Sequence, residues 1–226
     1  MSYSGTNSLQ RIGASSGVIA PVFAFICIII AVATYPQFNW VNSALSDLGV
    51  IRGVTGIVFN FGLVACGFLA LNFAIFGLHQ YFKVNLIGKI GAGVFAVASI
   101  ALICIGIFNE SFSPTHYLAS VAFFVFLPIS LLIITGAFAV KHQVKMAIST
   151  MLVAIVAAIP WVLYFTIHYA PNVAIPEIIS GLAGAAWIIT LGYKILEENS
   201  VNLVAQFNLS GLIFNRAERL RGISLK

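Results

Sequence analysis

The stretch from Leu86 to Phe108, LIGKIGAGVFAVASIALICIGIF, decides the fold. Its one charged residue, Lys89, lies a turn from the start, where the long side chain can snorkel back to an interface. A bilayer core about 30 Å thick takes about 20 apolar residues of helix, and this stretch is long enough to cross it. Five further runs qualify on the same ground: 17–35, 54–78, 116–140, 147–169 and 176–196. None of the six has a charge near its centre. The composition of all 226 residues agrees, with 61% hydrophobic and 8% charged residues against about a quarter charged in a soluble domain. A soluble chain is excluded, and the reading is an all-α, integral membrane six-transmembrane-helix bundle.

Residues 1–16 form a polar N-terminal segment, 17–196 the six-helix domain and 197–226 a mixed tail ending in Arg216, Arg219, Arg221 and Lys226. The first run reaches Tyr35-Pro36 without an A-x-A cleavage site, so it reads as a retained span rather than a signal peptide. Basic residues set the orientation. Arg11, Lys83, Lys89, Lys141, Lys145, Lys194 and the tail's four fall on one side, and Arg52 alone on the other. The positive-inside rule then places both termini in the cytoplasm, with the plasma membrane as the expected location. The tail's composition suits an interfacial segment attracted to anionic headgroups, or a docking segment for a partner membrane subunit or a second copy. With so few basic residues and no nucleic-acid-binding motif, nucleic acid is not an expected partner.

Packing in lipid must come from close approach, which small residues supply: Gly88, Gly91 and Gly93 in the third run, and Gly181, Gly184 and Ala185 in the sixth. Asn60 and Asn72 are amides at membrane depth that need inward partners, as helix glue or as the lining of a site. Pro128 and Pro160 break the hydrogen-bond ladder midway along the fourth and fifth runs and should face protein. Cys27, Cys66 and Cys104 sit in apolar runs and read as small hydrophobes, not as a disulfide framework or zinc knuckle. No internal repeat is evident.

The chemistry gathers outside. Asp47, Glu110 and Glu177 share that side with His116 and His168. In the loop 36–53, Trp40, Val41, Ala44, Leu45 and Leu48 recur at helical spacing. That pattern predicts a short interfacial amphipathic helix over 39–49, started by Asn39 and stopped by Gly49. Asp47 would lie in its last turn, where the helix dipole disfavours an anion, and Arg52 or an imidazole from another loop would compensate. Ser113-Pro114 and Pro176-Glu177 read as helix starts, and His168 beside Tyr164 and Tyr169 as part of an aromatic belt. The Asn109-Glu110-Ser111 sequon lies too close to the membrane to be a strong glycosylation signal.

Ser46-Asp47-Leu48-Gly49 after the first run, Phe59-Asn60 early in the second, and Glu110 with His116 before the fourth together resemble the domain of unknown function 998 family. Its members are prokaryotic polytopic membrane proteins without an established activity. The resemblance spans residues 15–196 and implies an outward cluster around Ser46, Asp47, Glu110 and His116, without bringing a reaction.

Two functions are weighed. One is a non-catalytic, lipid-interacting module or accessory subunit of a membrane complex, with a polar outward-facing mouth. The alternative is an outward-facing metal-dependent hydrolase acting on a lipid or headgroup, with Asp47, Glu110, His116 and His168 as zinc ligands. Ceramidase- and adiponectin-receptor-like hydrolases use a broadly similar Ser, Asp and His set, yet the paired H-x-x-x-H is missing here. Haem is disfavoured, because His116 and His142 lie about 39 Å apart along one helix and bracket the membrane. Coupled transport lacks an ionisable group at mid-membrane.

Overall fold

The computed structural model describes the backbone of residues 3–223 and the side chains of residues 8–204. Six helices are long and apolar enough to cross a membrane, and no strand occurs among the described residues. They are α1 (Tyr3–Ala33), α2 (Val54–Tyr81), α3 (Leu86–Ile107), α4 (Thr115–Val140), α5 (Val144–Ile167) and α6 (Ala174–Ile223). The chain is a polytopic membrane protein. Two of the helices overrun the apolar cores read from sequence: α1 starts ahead of residue 17, and α6 continues unbroken past residue 196. The tail's expected interfacial face lies outside the described side chains.

Each helix packs on the next in chain order, and α6 returns to α1, so the six close into a ring. An even number of passes puts both termini at one end, called proximal here. The loops 34–53, 108–114 and 168–173 gather at the distal end.

Glycine sets how closely the helices approach. A Cβ at Gly62 of α2 would collide with Cys27 of α1, and one at Gly106 of α3 would lie 2.7 Å from the Asn60 carbonyl oxygen. Gly91 likewise packs against Ile134 of α4. Gly93 does not join this seam: nothing lies within 4 Å of a Cβ built there. Gly181 and Gly184 face a cavity instead of a tight crossing.

The proximal half of the ring is filled. A π-helical turn, Phe73–Leu78, interrupts α2 and drives Phe73, fully buried, between α1 and the ring centre. Phe73, Phe95 and Trp187 meet edge-on or tilted, with ring centroids 5.7–6.5 Å apart. The buried Trp187 Nε1–H donates to Thr150 Oγ1 at 3.1 Å, so the indole's polar edge is satisfied in a medium without water. Asn85 ties α3 to α4: its Oδ1 accepts from Gly88 N and its Nδ2 donates to the Ala137 carbonyl, both at 3.1 Å. Pro128 and Pro160 are both buried, so they face protein.

The helix expected over 39–49 does not form. Asn39 Oδ1 accepts from Val41 N at 2.9 Å and from Asn42 N at 3.1 Å, which folds the chain into a local turn. Asp47 Oδ2 accepts from Ala44 N at 2.7 Å and heads a 3-10 turn, Ser46–Val50. Short polar side chains that bond their own backbone compete with a helix, and here they win. Asp47 thus sits at the start of a turn instead of the end of a helix, and needs no Arg52: the two form no ion pair, and Arg52 is exposed. The Ala174 N–H donates to the Ser43 carbonyl at 3.1 Å, and Asn172 Nδ2 to the Asn42 carbonyl at 3.2 Å, pinning the loop to the start of α6. Leu48, fully buried, then packs with Leu45, Phe59, Ala31 and Ala174 and seats the loop in the distal mouth.

Candidate functional site

The distal mouth is assembled by hydrogen bonds between separate loops. Ser46 Oγ donates to Glu110 Oε1 at 2.6 Å, linking the 3-10 turn Ser46–Val50 to a second one, Glu110–Phe112. The neighbouring Leu45 N–H donates to Glu177 Oε2 at 2.6 Å, which brings in the first turn of α6. The Gly49 carbonyl accepts twice, from Asn60 Nδ2 at 2.8 Å and from Asn109 Nδ2 at 3.2 Å. Asn60 keeps one buried, unpartnered atom, its Oδ1. At the start of α4, His116 is buried with its Nδ1 2.7 Å from the Phe108 carbonyl oxygen. A carbonyl only accepts, so Nδ1 carries the proton, and in the neutral ring Nε2 keeps a lone pair. Ser120 Oγ lies 3.4 Å from that Nε2.

Burial holds the Glu110 carboxyl above its ordinary range, and the Asp47 carboxylate beside it pushes the same way. The Ser46 hydroxyl and His116 oppose this and are outweighed. Partial burial and a like charge together favour the protonated acid.

Two cavities meet here. The more polar one, of about 370 Å³, is walled by Glu110, Ser113, His116, Tyr117 and Trp161 among others. Beneath it, inside the ring, lies a nearly apolar one of about 140 Å³, walled by α1, α2, α3, α4 and α6, with Phe95 and Ile188 among its lining residues. Ser46, Ser120, Phe124 and Glu177 border both. The filled proximal half, with Phe73 and Trp187 against Phe95, closes the ring below.

A family model described as "Protein of unknown function (DUF998)" matches residues 18–194. The chain belongs to this family. No curated protein and no solved structure matches it.

In this DUF998 protein the quoted stretches around residues 46–49, 59–60, 110 and 116 converge on one mouth. Ser46, Asp47, Glu110 and His116 come together; Arg52 and His168 do not join them. His168 is exposed, closes α5 in a left-handed conformation at φ 48°, and packs near Tyr164 with centroids 6.3 Å apart. Without it the proposed zinc set is incomplete: among the described residues no group of three or more His, Cys, Asp or Glu is placed to hold a metal ion. Asn72 lies away from the mouth, where its Oδ1 accepts from Ser16 Oγ at 3.2 Å, helix glue between α2 and α1.

The sequence reading passed over Glu177, taken there as a helix-start residue, and Ser113, taken as a cap. Ser113 makes no cap bond and lines the polar cavity. Ser120 was missed as well. Its signal was present, a hydroxyl one helical turn after His116 and therefore on the same face.

Proposed function

We propose that this DUF998 protein binds an amphipathic membrane lipid, taking an apolar segment into the ring and the headgroup into the distal mouth. The observation that carries this reading is the junction of the two cavities at Ser46, Ser120, Phe124 and Glu177. An apolar cavity of about 150 Å³ in another protein stays dry and takes benzene, so about 140 Å³ suits a short stretch of acyl chain. Polar groups converging at one end of an apolar pocket are the usual means of fixing a ligand's orientation. The ten basic residues on the proximal side, against Arg52 on the distal, support a mouth that opens outward with both termini cytoplasmic, and the family resemblance supports a prokaryotic plasma membrane as its place.

The test is lipid retained through detergent purification, identified by mass spectrometry of the extract. Wild type is expected to keep a defined lipid class. Gly184→Leu, which fills the cavity beside Leu127, is expected to lose it, and Gly93→Leu, at a position with open space, to keep it. The same lipid complement in all three would overturn the reading. Orientation is read separately, by labelling Asp47→Cys from outside intact cells with Lys83→Cys as the protected counterpart.

A further inference from the structure

We infer that Ser120 and His116 form the nucleophile and base of an acyl-transfer site acting on the ester of an acyl lipid held across the two cavities. The inference rests on the lipid-binding reading and adds a reaction to it.

It begins with where hydroxyls point in apolar helices. With no water at hand, a serine hydroxyl usually turns back to a carbonyl three or four residues earlier. Ser16, Ser99, Ser130 and Ser149 do this, donating to the carbonyls of Ile12, Phe95, Leu127 and Met146 at 2.7–3.1 Å. Ser120 instead points at an imidazole, its Oγ 3.4 Å from His116 Nε2. The other ring nitrogen is committed to the Phe108 carbonyl at 2.7 Å, which fixes the tautomer and aims the Nε2 lone pair at the hydroxyl. This is the arrangement of an activated nucleophile: hydroxyl, base, and a third group that orients the base. The Phe108 carbonyl takes the positioning role that a carboxylate has elsewhere. A separation of 3.4 Å is looser than a tight pair and normal before substrate closes the site.

Location supplies the substrate class. Ser120 borders both the apolar and the polar cavity. In an acyl lipid the ester is the link between chain and headgroup. A chain in the lower cavity and a headgroup in the upper one bring the ester carbonyl to Ser120.

The step balances with water as the only co-reactant. Ser120 Oγ bonds to the carbonyl carbon while its proton passes to His116 Nε2. The bond from that carbon to the alcohol oxygen breaks, and the departing alkoxide takes the proton from Nε2. Water then attacks the acyl-Ser120 ester by the same route, releasing a fatty acid and restoring the hydroxyl.

The experiment uses the full chain in vesicles of equimolar phosphatidylethanolamine and phosphatidylglycerol, treated with a long-chain alkyl fluorophosphonate. Intact-mass and peptide mass spectrometry read the adduct, and free fatty acid is measured in parallel. A single adduct on Ser120 is expected, together with fatty-acid release; both vanish in Ser120→Ala. His116→Gln is expected to slow labelling by about a hundredfold or more. A chelator should change neither rate, because no metal takes part. Absence of a Ser120 adduct overturns the inference, as does wild-type labelling in His116→Gln. If lipid is retained in either case, the acyl-transfer step alone falls. If retention is also lost in wild type, the lipid-binding reading falls with it.

Discussion

Ser46 Oγ and Glu110 Oε1 lie 2.6 Å apart, a bond between two 3-10 turns that are 64 residues distant in the chain. It fastens the loop from the first crossing to the loop from the third; Ser46 borders both cavities and Glu110 the upper one.

Burial of the acid in this clasp makes stability depend on pH. Glu110 is held above its ordinary carboxylate value of 4.5, chiefly by burial. The folded state therefore binds this proton more tightly than the unfolded chain does. Its contribution to stability is fully present below the unfolded value and is lost as pH rises through the folded one. Wild type minus Glu110→Gln should show a thermal midpoint difference that falls as pH rises from about 4 to about 8. A flat or rising difference would contradict the assignment.

Removing the other half of the clasp should cost about 1–3 kcal/mol, because Ser46→Ala leaves a half-buried carboxyl without its donor. Glu110→Ala removes the same interaction from the other side, so its effect and that of Ser46→Ala should not add. A double-mutant cycle from unfolding midpoints is expected to give a coupling of at least about 0.5 kcal/mol. Strict additivity would mean that the hydroxyl and the carboxyl do not meet in the membrane.

The α1–α2 seam gives a sharper steric test. At Gly62 a Cβ would collide with Cys27, so Gly62→Leu must part the two helices. Overpacking of this kind costs about 1–3 kcal/mol, while Gly93→Leu, facing open space, should be close to neutral. Size-exclusion profiles and melting temperatures of the pair would settle whether the approach is as close as described.

These positions mark where the sequence could be read. The six crossings were legible because an apolar run long enough to span a bilayer has few other uses, and the small residues at 88 and 91 did mark close packing. Ring closure was not legible, since no local pattern says that α6 returns to α1. The loop over 39–49 misled because its apolar residues have helical spacing. Asn39 and Asp47, read as polar-face residues, instead bond backbone two or three residues away and break the helix. The resemblance pointed at the mouth, and Ser46, Asp47, Glu110 and His116 do converge. Ser120 and Glu177 stayed hidden because a lone serine in a membrane helix and an acid at a helix start both have ordinary explanations.

Arg52 and His168 provide a negative test. Both carry groups suited to an outer site, yet both are exposed and outside the cluster. The double variant Arg52→Ala, His168→Ala is expected to retain lipid as wild type does and to melt within about 0.5 kcal/mol of it. Dialysis against a chelator should leave retention and melting unchanged. Lost retention in the variant would place one of these side chains in the mouth after all.

Gly49 is the last position at which several demands coincide. Its carbonyl accepts from Asn60 and from Asn109, and its α-carbon faces the Asn60 amide so closely that a Cβ would lie 2.6 Å from Asn60 Oδ1. An alanine there must push the Asn60 amide away, and the amide cannot move without loosening its own bond to the Gly49 carbonyl. In a medium without water the displaced Nδ2 donors find no substitute partner. Gly49→Ala should therefore destabilise by about 1–3 kcal/mol, although it adds only a methyl group. In the Asn60→Ala background the obstructing oxygen is gone, and the same substitution should cost clearly less. Equal costs in both backgrounds would show that Gly49 is needed for its backbone alone and not for the space it leaves to Asn60.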